Sequence, residues 1–407
     1  MTLKAYRYRI YPNTEQKLSF AAHFGCARWV YNWALCKKQE HYKETGKSLS
    51  KRQLQDALVQ LKKEEETKWL CEVNSQTLLA ALANLDTAFG NFFKKKAKFP
   101  KYKSKYNGNQ SYQCPQHVTV DIEKQIINLP KIKGVKAVVH REFEGKIKTC
   151  TIRRTPTDKY FVSVLVETPE AEPIPTVIEA DKIIGIDLGI KDFLITSEGN
   201  KISSHQFLRR NTQRLKRLQR KLSKKQKNSS NRKKAKKHLA KLHEKIANQR
   251  LDAIHQASAM LVYKSHDTTF AIEDLNVKGM MSNHKLAKSI ADCGWGLFVN
   301  ALSYKSKWSG KNVLTIDRFT PSSKTCSECG ERKSTLTLSE RTYVCEFCNI
   351  EIDRDINAAI NIKRFALETI GQELPKSKPV DHALAGNVSD ILAIHGMKQE
   401  ATTKASA

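Results

Sequence analysis

The sequence predicts an α+β chain of several domains, and three observations carry that reading. Helical spacing of apolar residues gives way to short strand-like runs within the first 170 residues. A proline-bearing stretch with few basic groups follows. Beyond it, two apolar runs that each carry an acid are separated by long basic helices, with a paired C-x-x-C cluster further on. A length of 407 residues fits two to three domains.

Residues 3–11 alternate apolar and basic side chains and then meet Pro12, the pattern of a strand with one wet, basic face. Asn13-Thr14 reads as a cap before a helix from about 14 to 44. Its broad apolar side holds Phe20, Phe24, Ala27, Trp29, Val30, Trp33 and Ala34. A second helix follows Ser50, with Leu54, Leu58 and Leu61 at helical spacing. A third runs from about Ser75 to Lys96 through Leu78, Leu82, Leu85 and Phe89. From 111 to 168 come the runs Val118–Ile122, Ile126–Leu129, Ala137–Val139, Lys148–Arg153 and Tyr160–Glu167, punctuated by glycine and proline. They suit a small β-barrel over 110–170, which the first strand (1–12) would complete and the helices (13–109) would interrupt. Pro169, Pro173 and Pro175 mark a linker and a domain boundary.

The charge narrows the class of partner. Lysine and arginine total 71 against 41 acids, a net charge of +30. Solubility does not require such an excess, which strains the free chain by self-repulsion. A polyanion such as nucleic acid relieves it by releasing counterions. Residues 209–250 hold 18 of these cations and one acid, Glu244. Leu215, Leu218 and Leu222 form one apolar stripe and Leu239, Leu242 and Ile246 another, with Asn228–Asn231 between them. This predicts two antiparallel basic helices joined by a turn. Like charges this dense repel along a helix, so a solvated face explains them poorly. No run approaches the ~18 apolar residues of a membrane span, and no terminal basic anchor suggests a membrane surface. The first ten residues carry Lys4, Arg7 and Arg9 without an apolar secretory core, which predicts a cytoplasmic protein with reduced thiols. Six scattered cysteines (Cys26, Cys36, Cys71, Cys114, Cys150, Cys293) read as small buried hydrophobes.

The other four cysteines read as chemistry. Cys326-Ser-Glu-Cys329 and Cys345-Glu-Phe-Cys348 are separated by 15 residues, a spacing that closes a tetrahedral thiolate shell around one Zn²⁺. A closed shell has no open position, so the zinc is expected to be structural. Three acids stand apart. Asp187 lies within Ile183-Ile184-Gly185-Ile186-Asp187-Leu188 and Glu273 ends Phe270-Ala271-Ile272-Glu273. A carboxylate in such a run is costly unless paired or metal-bound. Asp355 opens a helical stretch, where a helix cap is the plainer explanation; Asp353 is its weaker neighbour. Two strand-end acids and one helix-start acid are what a ribonuclease-H-like sheet provides. Carboxylates suit Mg²⁺, and two such ions can serve phosphodiester hydrolysis.

Taken in order, Gly185-Ile-Asp187-Leu-Gly189, Ile272-Glu273-Asp-Leu275, Ser289–Gly296, Pro321–Gly330 and Asp353–Ile362 resemble the motifs of the TnpB family, as do Tyr8–Pro12 and Ala27–Asn32. The resemblance spans roughly residues 1–370. It implies a wedge-type β-barrel with a helical recognition insert, followed by a RuvC-like nuclease domain (171–320 and 353–374) interrupted by a zinc ribbon (321–352). It implies Asp187, Glu273 and Asp355 as ligands of two catalytic Mg²⁺ ions. The implied partners are a guide RNA derived from the transposon end and double-stranded target DNA, cut beside a short flanking motif. A monomer with one RNA is expected. Arg217, Lys221, Lys224, Lys225, Arg232 and Lys233 on the basic hairpin, and Lys94, Lys95 and Lys96, are candidates for backbone contact. Gln53, Ser75 and Gln76 are candidates for reading the flanking motif. A compact type V CRISPR effector, a transposase that joins DNA ends, a nuclease-inactive RNA-guided repressor and a non-enzymatic zinc-ribbon protein remain alternatives. Residues 375–407 are expected to be a disordered tail.

Overall fold

A computed structural model describes residues 1–106, 110–337 and 339–371; the tail expectation for 375–407 lies outside these residues. The chain divides into two units between Ala171 and Glu172.

In the first unit, β1 (Thr2–Tyr11) buries Tyr6, Tyr8 and Ile10 and turns Arg7 outward, as its alternation predicts. Asn13 and Gln16 exchange hydrogen bonds of 2.8 and 2.9 Å in a capping box that starts α1 (Thr14–Thr45). Gly46, with φ +68°, ends that helix. Next come α2 (Lys51–Leu61) and α3 (Ser75–Phe93), with a short 3₁₀ helix between them at Glu65–Glu72 that the periodicity did not signal. The third helix stops at Phe93 rather than Lys96, because Lys95 takes a left-handed backbone (φ 56°). Then follow β2 (Gln110–Cys114), β3 (Thr119–Asp121), β4 (Ile126–Leu129), β5 (Ile132–Val138), β6 (Lys146–Arg154) and β7 (Tyr160–Thr168). Strand β2 has a polar sequence, Gln-Ser-Tyr-Gln-Cys, and buries only Tyr112 and Cys114, so hydropathy gave little sign of it. The seven strands form one curled antiparallel sheet in the order β2-β6-β7-β1-β5-β4-β3. β1 is central, antiparallel to both β7 and β5. The edge strands β2 and β3 are not hydrogen-bonded to each other, so the expected barrel is an open, curled sheet. Tyr8, Phe20, Val30, Leu35, Leu82 and Val164 lie in one core shared by sheet and helices.

In the second unit, β8 (Ile183–Asp187) and β9 (Asp192–Thr196) form an antiparallel hairpin. After β10 (Lys201–Ser203) come α4 (Phe207–Ser223) and α5 (Ser230–Lys264). The chain continues through β11 (Thr269–Glu273), α6 (Val277–Met280), α7 (Ala287–Cys293), α8 (Trp295–Trp308) and β12 (Asn312–Ile316). It closes with β13 (Thr342–Val344), β14 (Glu351–Asp353) and α9 (Arg354–Thr369). The main sheet runs β10-β9-β8-β11-β12, with β8, β11 and β12 parallel. Parallel strands need cover on both faces. Ile254, Leu261, Phe298 and Leu302 of α5 and α8 pack against Ile184, Ile186 and Phe270. Ile362, Ala366 and Leu367 of α9 pack against Ile183, Ala271 and Ile316. Among the described residues no helix is long and apolar enough to cross a membrane. Of the six scattered cysteines, Cys26, Cys114, Cys150 and Cys293 are buried, Cys36 is half-buried, and Cys71 is exposed, against expectation.

Helix α4 begins without a cap of its own, because Gln206 makes no capping side-chain bond. Asp292 of α7 replaces it, accepting from the Leu208 N–H at 2.8 Å and the Arg209 N–H at 3.3 Å. The Arg250 guanidinium of α5 donates to the same carboxylate at 2.8 Å and to its backbone carbonyl at 2.8 Å. One nearly buried acid thus joins the first turn of α4 to the middle of α5. Asp292→Ala removes the carboxylate that serves the Arg250 guanidinium and two helix N–H groups, at a cost of about 3 kcal/mol. Denaturant titration should read that loss, and hydrogen exchange should localise it to the first turn of α4.

Candidate active site and cysteine cluster

Asp187 and Glu273 are the last residues of the neighbouring parallel strands β8 and β11, paired through Ile186↔Ile272. Both carboxyls therefore leave the sheet at the same end. Asp355 joins them from the first turn of α9. The cap of that helix is Asp353, which accepts from the Asp355 N–H at 3.0 Å and the Ile356 N–H at 3.2 Å. Asp353 also takes the Lys201 ammonium at 2.6 Å. Burial works against its charge, but Lys201 and the helix N–H groups prevail and hold it below the usual carboxylate range. Asp355 is thereby released from the capping role that its position suggested.

The electrostatics record the convergence. Burial first, then the negative charges of Asp355 and Glu273, push Asp187 up to about 7. Burial, then Asp274, raises Glu273. Asp274 itself is turned to Arg318. Half-buried carboxyls pressed together, with Arg354 only partly offsetting the charge around Asp187, fit a hard divalent ion. Three acids on three elements could thus hold Mg²⁺.

Their spacing is fixed by one glycine. A Cβ on Gly185 would lie 2.0 Å from the Ala359 carbonyl oxygen and 2.8 Å from the Lys363 nitrogen. The backbone of α9 rests directly on β8 two residues before Asp187. A lone glycine inside an apolar strand is a legible sign of such an approach. The opposite face of α9 is held by two fully buried asparagines that hydropathy reading passed over. Asn357 donates to the Thr325 carbonyl at 2.8 Å and accepts from the Ser327 N–H at 2.9 Å. Asn361 donates to the carbonyls of Ser322 and Thr325 at 2.8 and 2.6 Å. Asparagines four apart within the otherwise apolar stretch from Ile356 to Ile362 were the available signal.

Those carbonyls belong to the first cysteine knuckle. The four sulfurs of Cys326, Cys329, Cys345 and Cys348 all lie within 4.8 Å of one another. The Cys326–Cys348 and Cys329–Cys345 pairs are each 3.6 Å apart. Each knuckle is closed by backbone bonds, Cys326 N–H to Glu331 and Cys345 N–H to Ile350. The Cys348 N–H lowers Cys345 to about 6, whereas burial pushes Cys326 up to about 12. Four thiols so close can ionise together only around a cation.

The remaining candidates lie elsewhere on the two units. Arg217, Lys221, Lys224, Lys225 and Lys233 are exposed on α4, the following turn and α5, with no ion-pair partner among the described residues. Arg232 is half-buried, and its guanidinium donates to the Leu222 and Lys225 carbonyls at 2.9 Å, so it caps α4. Lys94, Lys95 and Lys96 are exposed after α3. The Gln53 side chain closes the capping box of α2 with Ser50 at 2.8 Å. Ser75 accepts from the Lys62 ammonium at 2.9 Å, and Gln76 is half-buried one residue further on.

Three family models match this chain: an OrfB/IS605 model described as "Probable transposase" over residues 161–284, "Cas12f1-like, TNB domain" over 295–362, and "Helix-turn-helix domain" over 1–47. Over that last span the structure holds one strand and one long helix. A Streptomyces pristinaespiralis protein named "Putative RNA-guided DNA endonuclease" is 37% identical over 361 residues, covering 88% of each chain. The chain belongs to the TnpB family. A second relative, from Escherichia coli K12 and named likewise with the suffix InsQ, is 30% identical and covers 88% of this chain and 91% of its own. The fold is also that of a solved Cas12f1 in complex with sgRNA and target DNA. The TM-score is 0.53 at 14% identity, covering 89% of this chain and 98% of that one. This TnpB-family chain is an α+β protein with a curled sheet and a four-cysteine cluster that could hold a metal.

Two outcomes follow. Gly185→Ala should displace α9 and cost about 3 kcal/mol of stability, read by denaturant titration. The second concerns pH. Asp187 is raised from about 3.9 when unfolded to about 7 when folded. Its protonated form therefore supports the fold fully below the lower value, and that support is lost as pH rises to the higher one. Without Mg²⁺, Asp187→Asn should gain in melting temperature over the parent between pH 5 and 7, then level off. Parallel melting curves would exclude the charge cluster.

Proposed function

We propose that this chain cuts double-stranded DNA, chosen by pairing with a bound RNA and flanked by a short motif, by hydrolysis of the phosphodiester at Asp187, Glu273 and Asp355. The convergence of these acids carries the proposal, and the names of the relatives supply the substrate class. The five-stranded sheet with α9 is read as a RuvC-like domain of the ribonuclease-H type. The curled sheet is read as the wedge-type domain, α1–α3 as its recognition insert, and residues 321–352 as a zinc ribbon whose closed Cys₄ shell makes the metal structural.

When bound, two Mg²⁺ ions would supply an activated water and neutralise the leaving oxygen. The chain's own part is placement. Asp187 and Glu273 present oxygens from adjacent strand ends. Asp355 faces them from a helix start fixed by Asp353, Gly185 and the two asparagines. The exposed cations of α4 and α5 hold guide RNA and target by their backbones, while base pairing reads sequence. Helices α2 and α3 are the candidates for the flanking motif, with Ser75 and Gln76 better placed than Gln53, whose amide is engaged at its own helix start. One protein is expected to act with one transposon-derived RNA.

The family model's description favours a second reading, a transposase that joins DNA ends without RNA. Purification with the native flanking DNA separates the two. A single abundant RNA ending at the element boundary supports guidance, and its absence from folded protein supports the transposase. Asp187→Ala should retain that RNA while Mg²⁺-dependent cleavage of the matching DNA falls to background. Cleavage near the parent rate would remove Asp187 from the site.

A further inference from the structure

Between α3 and β2 the chain interleaves rings with cations. Phe93, Phe99, Tyr102 and Tyr106 are 70%, 42%, 54% and 85% exposed, among seven lysines from Lys94 to Lys105. Rings of this kind stack on unpaired bases while cations follow phosphates. The segment is anchored at Lys103. Asn32 of α1 accepts from its N–H at 2.8 Å and donates to its carbonyl at 2.9 Å. The Lys103 ammonium lies 4.0 Å from the centre of the Tyr31 ring.

Held there, Lys103 forms one wall of a half-open cavity of about 230 Å³ lined by α1, α3 and β2. Its floor is Phe24, Ala81 and Tyr112, and its rim carries Arg28, Asn84 and Gln113. The Asn84 side-chain amide donates to the Gln113 side-chain oxygen, Oε1, at 3.1 Å. That bond leaves the side-chain Oδ1 of Asn84 and the side-chain Nε2 of Gln113 without partners among the described residues. An acceptor and a donor side by side match the edge of a base. The cavity is smaller than the roughly 300–1,000 Å³ of pockets for drug-sized ligands, and it suits a single ring system. Thr77, also on its lining, has a fully buried hydroxyl with no hydrogen-bond partner among the described residues.

We propose that this cavity receives the base of one unpaired nucleotide from the bound nucleic acid, with Arg28 and Lys103 at its phosphate. The inference rests on the reading that the chain works with RNA and DNA. A ribonucleotide of the guide and a deoxyribonucleotide of the opened target offer the same ring and phosphate, so the sugar must be read directly.

Ultraviolet crosslinking of the purified protein–RNA complex, with matching DNA added and Mg²⁺ withheld, followed by peptide mass mapping, makes that reading. An adduct on a peptide containing Phe24 or Tyr112 is expected, and its mass tells ribose from deoxyribose. Ala81→Leu, which fills the floor, should lower that adduct about tenfold while adducts along α4 and α5 persist. Arg28→Gln, at the rim, should lower it several-fold without the risk of overfilling a core. Adducts along α4 and α5 with none at the cavity overturn the inference alone, as do cavity adducts unchanged in both variants. Folded protein that carries no nucleic acid overturns the functional reading and this inference with it.

Discussion

The contact of one helix backbone with one strand backbone governs the rest of the second unit. Helix α9 lies on β8 at Gly185, where a single added carbon would meet a carbonyl oxygen at 2.0 Å. Everything that gives the acids their chemistry depends on that approach. A helix held further away would carry Asp355 with it, and with it would fade both the burial that chiefly raises Asp187 and the repulsion that adds to it. The sheet supplies one wall of the contact, and the cysteine knuckle supplies the opposing hold through Asn357 and Asn361. A cluster that looks purely structural therefore bears on the acids through hydrogen bonds at the far side of a shared helix.

Charge is handled in two contrasting ways. Around the three acids, like charges are concentrated and partly enclosed, which favours either a proton or a hard cation. Along α4 and α5, like charges are spread over exposed surface and screened by solvent. The connections between these regimes are made by single residues. Asp292 neutralises Arg250 while closing the start of α4, and Arg232 closes its end. The most cationic part of the chain is thus held at both ends by polar side chains, its apolar seam being only Leu215, Leu242 and Ile246 with their half-buried neighbours.

The fold was legible wherever periodicity was strong. α1, β4, the basic pair of helices and the acid-bearing strands follow from spacing and capping residues that act locally. The strand β2 was not, because three of its five side chains are polar and its inward residues are a tyrosine and a cysteine. The hairpin of β8 and β9 was hidden because both strands are buried, and buried strands do not alternate. At the site, the residue types were readable but their division of labour was not. Asp353 and Asp355 are two residues apart, and either could cap a helix; only the backbone decides that Asp353 does. Gln53 and Arg232 looked like free recognition groups, yet each completes a helix end. Such local engagements depend on a rotamer, which no composition or period encodes.

The chain order of the three acids has a consequence for synthesis. Residues 187, 273 and 355 are spread along the sequence, and the helix bearing the last of them contacts β8, β11 and the cysteine knuckle only after all three have been made. A ribosome releases the N-terminal parts first, so a nascent chain can fold its curled sheet and expose its cationic helices while the acidic cluster is still incomplete. The capacity to gather nucleic acid is in this sense older, within each molecule's lifetime, than the capacity to assemble the three carboxylates.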